Sequence, residues 1–426
     1  MILAIVCIIL LCLFIKLLRI KFLSPEGLFS FMWIAMILGG IFFLSKKYRF
    51  TYLGVYWILF SVFCFCIFSK LGYWIYNKNN DVAFHTPLKA KEIPNIPWKM
   101  NIIFIGFSLM SLLYVMIQNE VSFNSFENLS TLQTVSHALS VKRYSGEETT
   151  SLIGQVLNSF NYVSPLCCGY SYIFASSKKE KLICISCIIP VLLSMFLTSA
   201  KSGFISFVIL FFIGFFISYI YIYSEIPRIR FRYILIGIVG GIIALFLFYF
   251  SFYLRIGKTD SNVYDVISDK LMIYAFGHIQ GFDIWFSNNR MSLSDLGLGS
   301  NTFLAISSRL GFAEKVLGVY RFEAGTCTNV YSYFRGLIED YGALFSLVII
   351  IMLSVISSYN CNKIKYSNRK NVLNQWILSI ILFSMFYVYI SPWIYTSYYF
   401  AFILFGLFLY WTFNIKIRFI WRKNVH

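Results

Sequence analysis

The chain has 426 residues, 59% of them hydrophobic and only 13% charged, with a formal net charge of +18. A soluble globular chain runs at roughly 45–50% apolar and about 25% charged, so this composition excludes a soluble enzyme, a disordered tail and a secreted disulfide scaffold. Solidly apolar runs exclude an outer-membrane barrel, whose strands alternate in character. The basic excess suits the cytoplasmic loops of a membrane protein, and no nucleic-acid partner is expected.

The predicted elements are eleven apolar spans, each close to the ~20 residues that cross a bilayer. The first, 1–15, has its charges (Lys16, Arg19, Lys21) after the apolar stretch and no cleavage signal. It reads as an uncleaved span with its N-terminus outside. Spans at 27–44, 51–69 and 100–117 lead to a polar loop, 118–151. Spans at 152–175, 182–198, 203–223 and 233–253 follow, then a long loop, 254–335. Spans at 336–358, 372–390 and 397–415 and a basic tail from Lys416 complete the chain. The organisation expected is an all-α, polytopic integral membrane helical bundle of about eleven transmembrane helices with one large periplasmic loop. Its parts are 1–253 (eight spans with loop 118–151), 254–335 (the large loop) and 336–426 (three spans and the cytoplasmic tail). Cys184 and Cys187 form a C-x-x-C inside an apolar run, where cysteines behave as small hydrophobes.

Charge sets the orientation. With the C-terminus in the cytoplasm, the inside segments carry 22 Lys and Arg and the short outside segments carry 6, as basic residues favour the inside. The acids distribute the other way, 5 inside and 13 outside, which puts the polar chemistry outside. Few charges fall at mid-span and no transporter-type repeat is visible, unlike an ion-coupled carrier.

Within the long loop, 271–286 is too short and polar to span and reads as an amphipathic or re-entrant helix in the outer interface. It could serve as a packed lid, as a wall beside a lipid-borne substrate, or as both. Leu296–Phe303 contains a Gly-x-Gly that suits either a structural turn or a phosphate cradle. Arg321–Arg335 is dense in hydroxyls, amide and charge, and Glu339-Asp340-Tyr341-Gly342 follows it. Arg335 and Glu339, four apart, would share a helix face, as an interfacial ion pair or as part of a site. Lys201, in the turn Thr198-Ser199-Ala200-Lys201-Ser202-Gly203, faces outward, as do Arg255 and Lys258 at the exit of the eighth span. Cations there run against the inside bias, and an anionic substrate would account for them.

These stretches, in this order, resemble the bacterial O-antigen (oligosaccharide repeat unit) polymerases, the Wzy-type family. The likeness covers the whole length in layout. The turn 198–203 is similar to the family's Thr-Gly-Ser-Arg/Lys-Ser. Tyr274 to Phe282 is similar to its Tyr-x-x-Gly-x-x-x-x-Phe. Gly299-Ser300-Asn301-Thr302-Phe303 resembles its Gly-x-x-Thr-Phe. Thr328-Asn329-Val330-Tyr331-Ser332 with Asp340-Tyr341-Gly342 resembles its closing motif. Ala200 and Tyr341 depart from the pattern, and His278, inside the loop element, is not counted among the site residues.

The resemblance implies a GT-C-like fold in the bacterial inner membrane. It also implies a glycosyltransferase that moves a growing glycan from polyprenyl diphosphate onto a lipid-linked repeat unit at the periplasmic face. Membrane lipids, a chain-length regulator and a flippase are the implied partners. Such chemistry needs cations for the departing diphosphate: Lys201, Arg255 and Arg335, with Lys258 and Arg321 behind them. It needs a base for the attacking hydroxyl: Glu323, Asp283 or Asp340. Asn329, Tyr331, Tyr333 and Thr302 are expected to hold sugar. His85, His137, His278 and His426 are scattered and the loop has no Asp-x-Asp, so metal-independent, cofactor-free chemistry is expected. The alternatives are an O-antigen ligase, for which a His-rich motif near the loop's end is missing between Gly281 and Phe334, a lipid-linked oligosaccharide flippase, and a scaffold for the glycan assembly machinery.

Overall fold

The computed structural model describes residues 1–78, 93–145, 151–228, 231–256, 263–289, 296–314, 320–367 and 370–414. Its α-helices in chain order are α1 (Ile2–Leu17), α2 (Pro25–Leu44), α3 (Leu53–Lys78), α4 (Trp98–Gln118), α5 (Leu129–Ser145), α6 (Leu152–Tyr172), α7 (Lys178–Ser186) and α8 (Ile188–Thr198). They continue with α9 (Lys201–Tyr223), α10 (Phe231–Ile256), α11 (Val263–Asn288), α12 (Leu304–Ser307), α13 (Tyr333–Tyr366), α14 (Val372–Phe386) and α15 (Thr396–Asn414). No strand occurs among the described residues. The predicted spans fall mainly on helices, 182–198 on two of them, but those at 1–15, 152–175 and 372–390 lie on α1, α6 and α14, which are not among the helices long and apolar enough to cross. Eight crossings are long and apolar enough for a bilayer: α2, α3, α4, α7 with α8, α9, α10, α13 and α15. The protein is therefore a polytopic helical membrane protein.

Local chemistry sets the helix starts. Ser24 accepts from the Gly27 amide at 3.2 Å with Pro25 in the first turn of α2, and Ser151 accepts from Gly154 at 3.1 Å at the start of α6. Ser177 and Glu180 form a reciprocal capping box on α7. Each supplies an acceptor to a backbone donor that the helix itself leaves unpaired.

The core is built by α3, α6, α9, α13, α14 and α15, with Phe65, Tyr170, Phe216, Phe383 and Phe405 fully enclosed. Where α6 meets α9, a Cβ on Gly169 would lie 2.1 Å from the Phe211 carbonyl oxygen and one on Gly214 would lie 2.1 Å from that of Leu166. Lipid gives helices no hydrophobic reason to associate, and paired small residues let backbones approach instead. The composition of α6 follows from its place. Asn161 donates to Ser111 and accepts from Ser108 of α4, and Tyr170 donates to Gln375 of α14 at 2.8 Å. These polar groups face protein. By contrast α10 exposes Ile234 to Phe246 and packs only along its last turns.

One end of the bundle gathers the irregular segments. There Ser136 of α5 meets Ser199, Lys47 pairs with Asp269, Ser397 donates to the Gln155 carbonyl and Ser391 donates to the Thr302 carbonyl. The stretch 271–286 is part of a longer helix, α11, which packs on α2 and α3 with Ile279, Phe282 and Trp285 buried. Asp269 and Asp283 both reach the turn between α2 and α3, so α11 runs across this end of the bundle.

Two predicted boundaries move. The run 372–390 reads as one span, but α14 stops at Phe386, and 387–395 is irregular backbone around Pro392. Several of its backbone groups are served by protein, as where the Tyr333 amide donates to the Val388 carbonyl at 3.1 Å, in line with the condition for non-helical chain in such a fold. The ninth predicted span belongs to α13, which breaks at Gly342 (φ 73°, ψ 165°). This is left-handed-side backbone that only glycine adopts readily. A short helix carrying Arg335, Glu339 and Asp340 thus sits on top of the long apolar one.

Candidate functional site

At the end bearing the irregular segments lies a cavity of about 110 Å³. Four pieces of chain wall it: Ser202 and Ile205 from α9; Ile273, Tyr274 and His278 from α11; Thr328, Asn329 and Val330; and Tyr387, Tyr389, Ile390 and Tyr395 from the segment after α14. Three stretches singled out in the sequence therefore converge on one space, from positions more than 120 residues apart. The lining is aromatic and aliphatic with a few neutral polar groups, and has no carboxylate, lysine or arginine. That is the usual makeup of a small-molecule site, an apolar wall with a few placed polar groups.

Lys201 stands behind this wall. It opens α9, is 3% exposed, donates to the Ser199 carbonyl at 3.2 Å, and its ammonium lies 3.7 Å from the centre of the Phe252 ring. The Phe252 ring in turn lies 5.9 Å from that of Tyr274, a cavity residue. A cation at a helix N-terminus opposes the helix dipole, so the placement favours an anion nearby. Arg255, one turn beyond Phe252 on α10, is partly exposed, and its carbonyl is 2.7 Å from His137 Nδ1 of α5. Lys258 lies outside the described residues.

The other charged candidates form a separate cluster. Arg335 bridges Glu339 (Nε to Oε1, 2.7 Å) and Glu323 (Nη1 to Oε1, 2.8 Å). Its guanidinium lies 4.1 Å from the Tyr320 ring centre and 4.2 Å from that of Tyr331, the two rings set at right angles to each other. The spacing of four residues does bring Arg335 and Glu339 together. Tyr331 is fully buried, and its hydroxyl donates to the Arg321 carbonyl at 3.1 Å, while the Arg321 side chain is exposed. Burial, with Glu339 beside it, holds the Tyr320 phenol well above the ordinary range. Tyr333 is buried against Phe334 and Trp33.

Asp340 and Asp283 are both fully buried. Asp340 accepts from the Asn301 amide at 2.9 Å, from Asn301 Nδ2 at 3.0 Å and from the Thr302 amide. The amides of Gly297 and Leu298 donate to the carbonyls of Glu339 and Asp340. The Gly-x-Gly stretch is thus a turn clamped onto α13, with the amides of Gly297, Leu298, Ser300, Asn301, Thr302 and Phe303 bonded within the protein. Asp283 accepts from the amides of Thr51, Tyr52, Gly54 and Val55. It therefore caps the N-terminus of α3, where a carboxylate is favoured. Thr302 is buried, and its hydroxyl makes no hydrogen bond among the described residues.

Of the sequence candidates, the structure brings Asn329 to the cavity and Lys201 behind its wall. It gathers Arg335, Glu323 and Tyr331 elsewhere. Among the described residues no three His, Cys, Asp or Glu side chains converge as a metal site. His278, set aside in the sequence as a site residue, lines the cavity together with the tyrosines at 387, 389 and 395, which no sequence feature singles out. Tyr274 and His278, one helical turn apart, carry a signal for the histidine. Tyr387 and Tyr389 are hidden inside an apolar run. Compared with protein-family models, with curated proteins and with solved structures, the chain matches none.

Proposed function

We propose that the chain is a membrane glycosyltransferase, an O-antigen polymerase that extends a surface glycan on its polyprenyl diphosphate carrier at the outer face of the bacterial inner membrane. The observation that carries this reading is the cavity itself. Three separated stretches that resemble polymerase motifs meet around one aromatic and aliphatic space with a few neutral polar groups, and a buried lysine stands directly behind it. Aromatic faces and hydroxyls suit a sugar ring, and a cation suits the diphosphate that leaves from it.

In this reading Lys201 and Arg255 take the negative charge that develops on the leaving diphosphate, and Asn329 contacts sugar. Arg335, Glu323 and Glu339 brace the segment 320–332, while Asp340 and Asp283 hold the turn at 297–303 and the start of α3. Eleven crossings rest on the apolar runs, the N-terminus outside and the C-terminus in the cytoplasm on the charge bias, and a GT-C-like architecture belongs to the same proposal. The substrates are polyprenyl-diphosphate-linked oligosaccharides.

The test is a surface-glycan ladder in a deletion strain with and without the chain restored. Collapse to a single repeat unit on lipid A core, reversed by complementation, is the expected result. Free lipid-linked polymer with an unmodified core would identify a ligase instead, and unpolymerised lipid-linked units trapped inside would identify a flippase. An unchanged ladder would remove the chain from glycan assembly in that strain.

A further inference from the structure

His278 is 1% exposed, faces the cavity, and makes no hydrogen bond of good geometry at either ring nitrogen among the described residues. A neutral imidazole has one donor and one acceptor, and a buried polar group left without a partner is costly. Its near neighbours are aromatic, Tyr389 with ring centroids 4.8 Å apart and Trp33 at 6.4 Å. Burial pushes the imidazole down to about 3, against a smaller pull from the Ala275 carbonyl. The ring is therefore neutral across the physiological range.

The cavity walls limit what can fill it. An apolar occupant would leave the buried His278 nitrogens without partners. A charged group would find no opposite charge in the lining itself, and burying a charge without a partner there is costly. An uncharged, hydroxyl-rich ring satisfies both conditions and has tyrosine faces to lie against. At roughly 10–15 Å³ for each water-sized site, a volume of about 110 Å³ admits one ring or a small cluster of waters.

We propose that this cavity binds an uncharged sugar ring of the glycan and that His278 reads one of its hydroxyls directly, accepting from it at one ring nitrogen and donating to a neighbouring oxygen at the other. This rests on the glycan-polymerising reading above. It adds the substrate class at the cavity and a specificity-determining residue there.

The experiment uses the full chain carrying His278→Phe or His278→Gln, in the deletion strain and purified in nanodiscs. Phe keeps the ring's shape and removes both polar atoms; Gln keeps a donor and an acceptor. The expected result is that H278F accumulates normally and melts no lower than the wild type, yet loses about tenfold to a hundredfold of polymer, the range of one buried hydrogen bond. H278Q should recover part of that loss. A full-length ladder with H278F overturns the proposal and leaves the imidazole to packing or water. So does a loss of polymer in both variants that only follows a loss of protein.

The second measurement is thermal stabilisation of the purified chain by the oligosaccharide repeat unit released from the host's lipid carrier. Stabilisation of the wild type that H278F abolishes supports the site. No stabilisation of the wild type, or equal stabilisation of both, overturns it. If the deletion ladder is unchanged while the sugar still stabilises only the wild type, the polymerase reading fails and the sugar site stands.

Discussion

The cavity and the Arg335 cluster occupy the same end of the bundle and share one stretch of chain, yet their polar groups are in opposite states. Around Arg335 each charge has its partner: two carboxylates on the guanidinium, two tyrosine rings beside it, and backbone amides on Asp340. In the cavity the polar groups are neutral, and the His278 ring nitrogens make no hydrogen bond of good geometry among the described residues. Thr328 to Val330 line the cavity, while Tyr331, the next residue, turns to the guanidinium. Charge density along a sequence therefore marks the frame here as readily as the site. Buried ion pairs and capped turns fix geometry, whereas a buried polar group without a protein partner is open to a ligand.

If that division holds, the largest effect belongs to Asp340→Ala. The substitution leaves two backbone amides and the Asn301 side chain without their acceptor in a fully buried place. A loss of about 3 kcal/mol or more is expected, read as a lower melting temperature in detergent and less protein in the membrane. Normal accumulation and melting would strike Asp340 from the frame. Lys201→Met should behave in the opposite way. It keeps the stem packed on Phe252 and removes the charge, so the chain should accumulate normally while polymer synthesis falls on the order of 10²–10³-fold. An intact ladder would break the assignment of Lys201 to the leaving diphosphate.

Arg335→Ala comes next. It leaves Glu323 and Glu339 facing each other without their cation, and a loss of about 2–3 kcal/mol of stability is expected for this partly exposed triad. A double-mutant cycle with Glu339→Gln sharpens the point, because partners in one ion-pair network couple by roughly 0.5–3 kcal/mol. Strict additivity would show that the two side chains do not act together. Loss of polymer at full stability would move Arg335 from the frame to the chemistry.

Much of the frame was legible because its cause is local. Apolar runs place the helices, and a spacing of four places Arg335 beside Glu339. What stayed hidden depends on distant partners. The carboxylate of Asp283 is defined by amides more than 225 residues earlier, and that of Asp340 by a turn almost 40 residues away. Neither pattern differs in sequence from an acid free to act as a base. The tyrosines at 387 and 389 were concealed for another reason. They extend an apolar run without a charge, so nothing in it signals that the helix stops at Phe386 and the chain turns to wall a cavity.

Cys327 gives the smallest and most local probe, because it sits between the two regions. Its amide donates to Gln280 Oε1 at 2.9 Å, and Gln280 in turn donates to the carbonyls of Arg49 and Gly325. Burial pushes the thiol up to about 11. The reactive species is the thiolate, so at pH 8 labelling that is lost in Cys327→Ser should run on the order of a hundredfold slower than for an unperturbed thiol. It should rise roughly tenfold per pH unit towards pH 10. The direction follows from the sign of the shift, since a raised thiol stays protonated and inert until the pH approaches its value. In Arg335→Ala the brace on 320–332 is gone, and the same thiol should label faster at pH 8 with a flatter pH profile. If labelling is fast in the wild type, the segment is not packed against α11 as described. If it is slow in both, the guanidinium does not hold the segment that carries Thr328 and Asn329 to the cavity, and the two regions are mechanically independent.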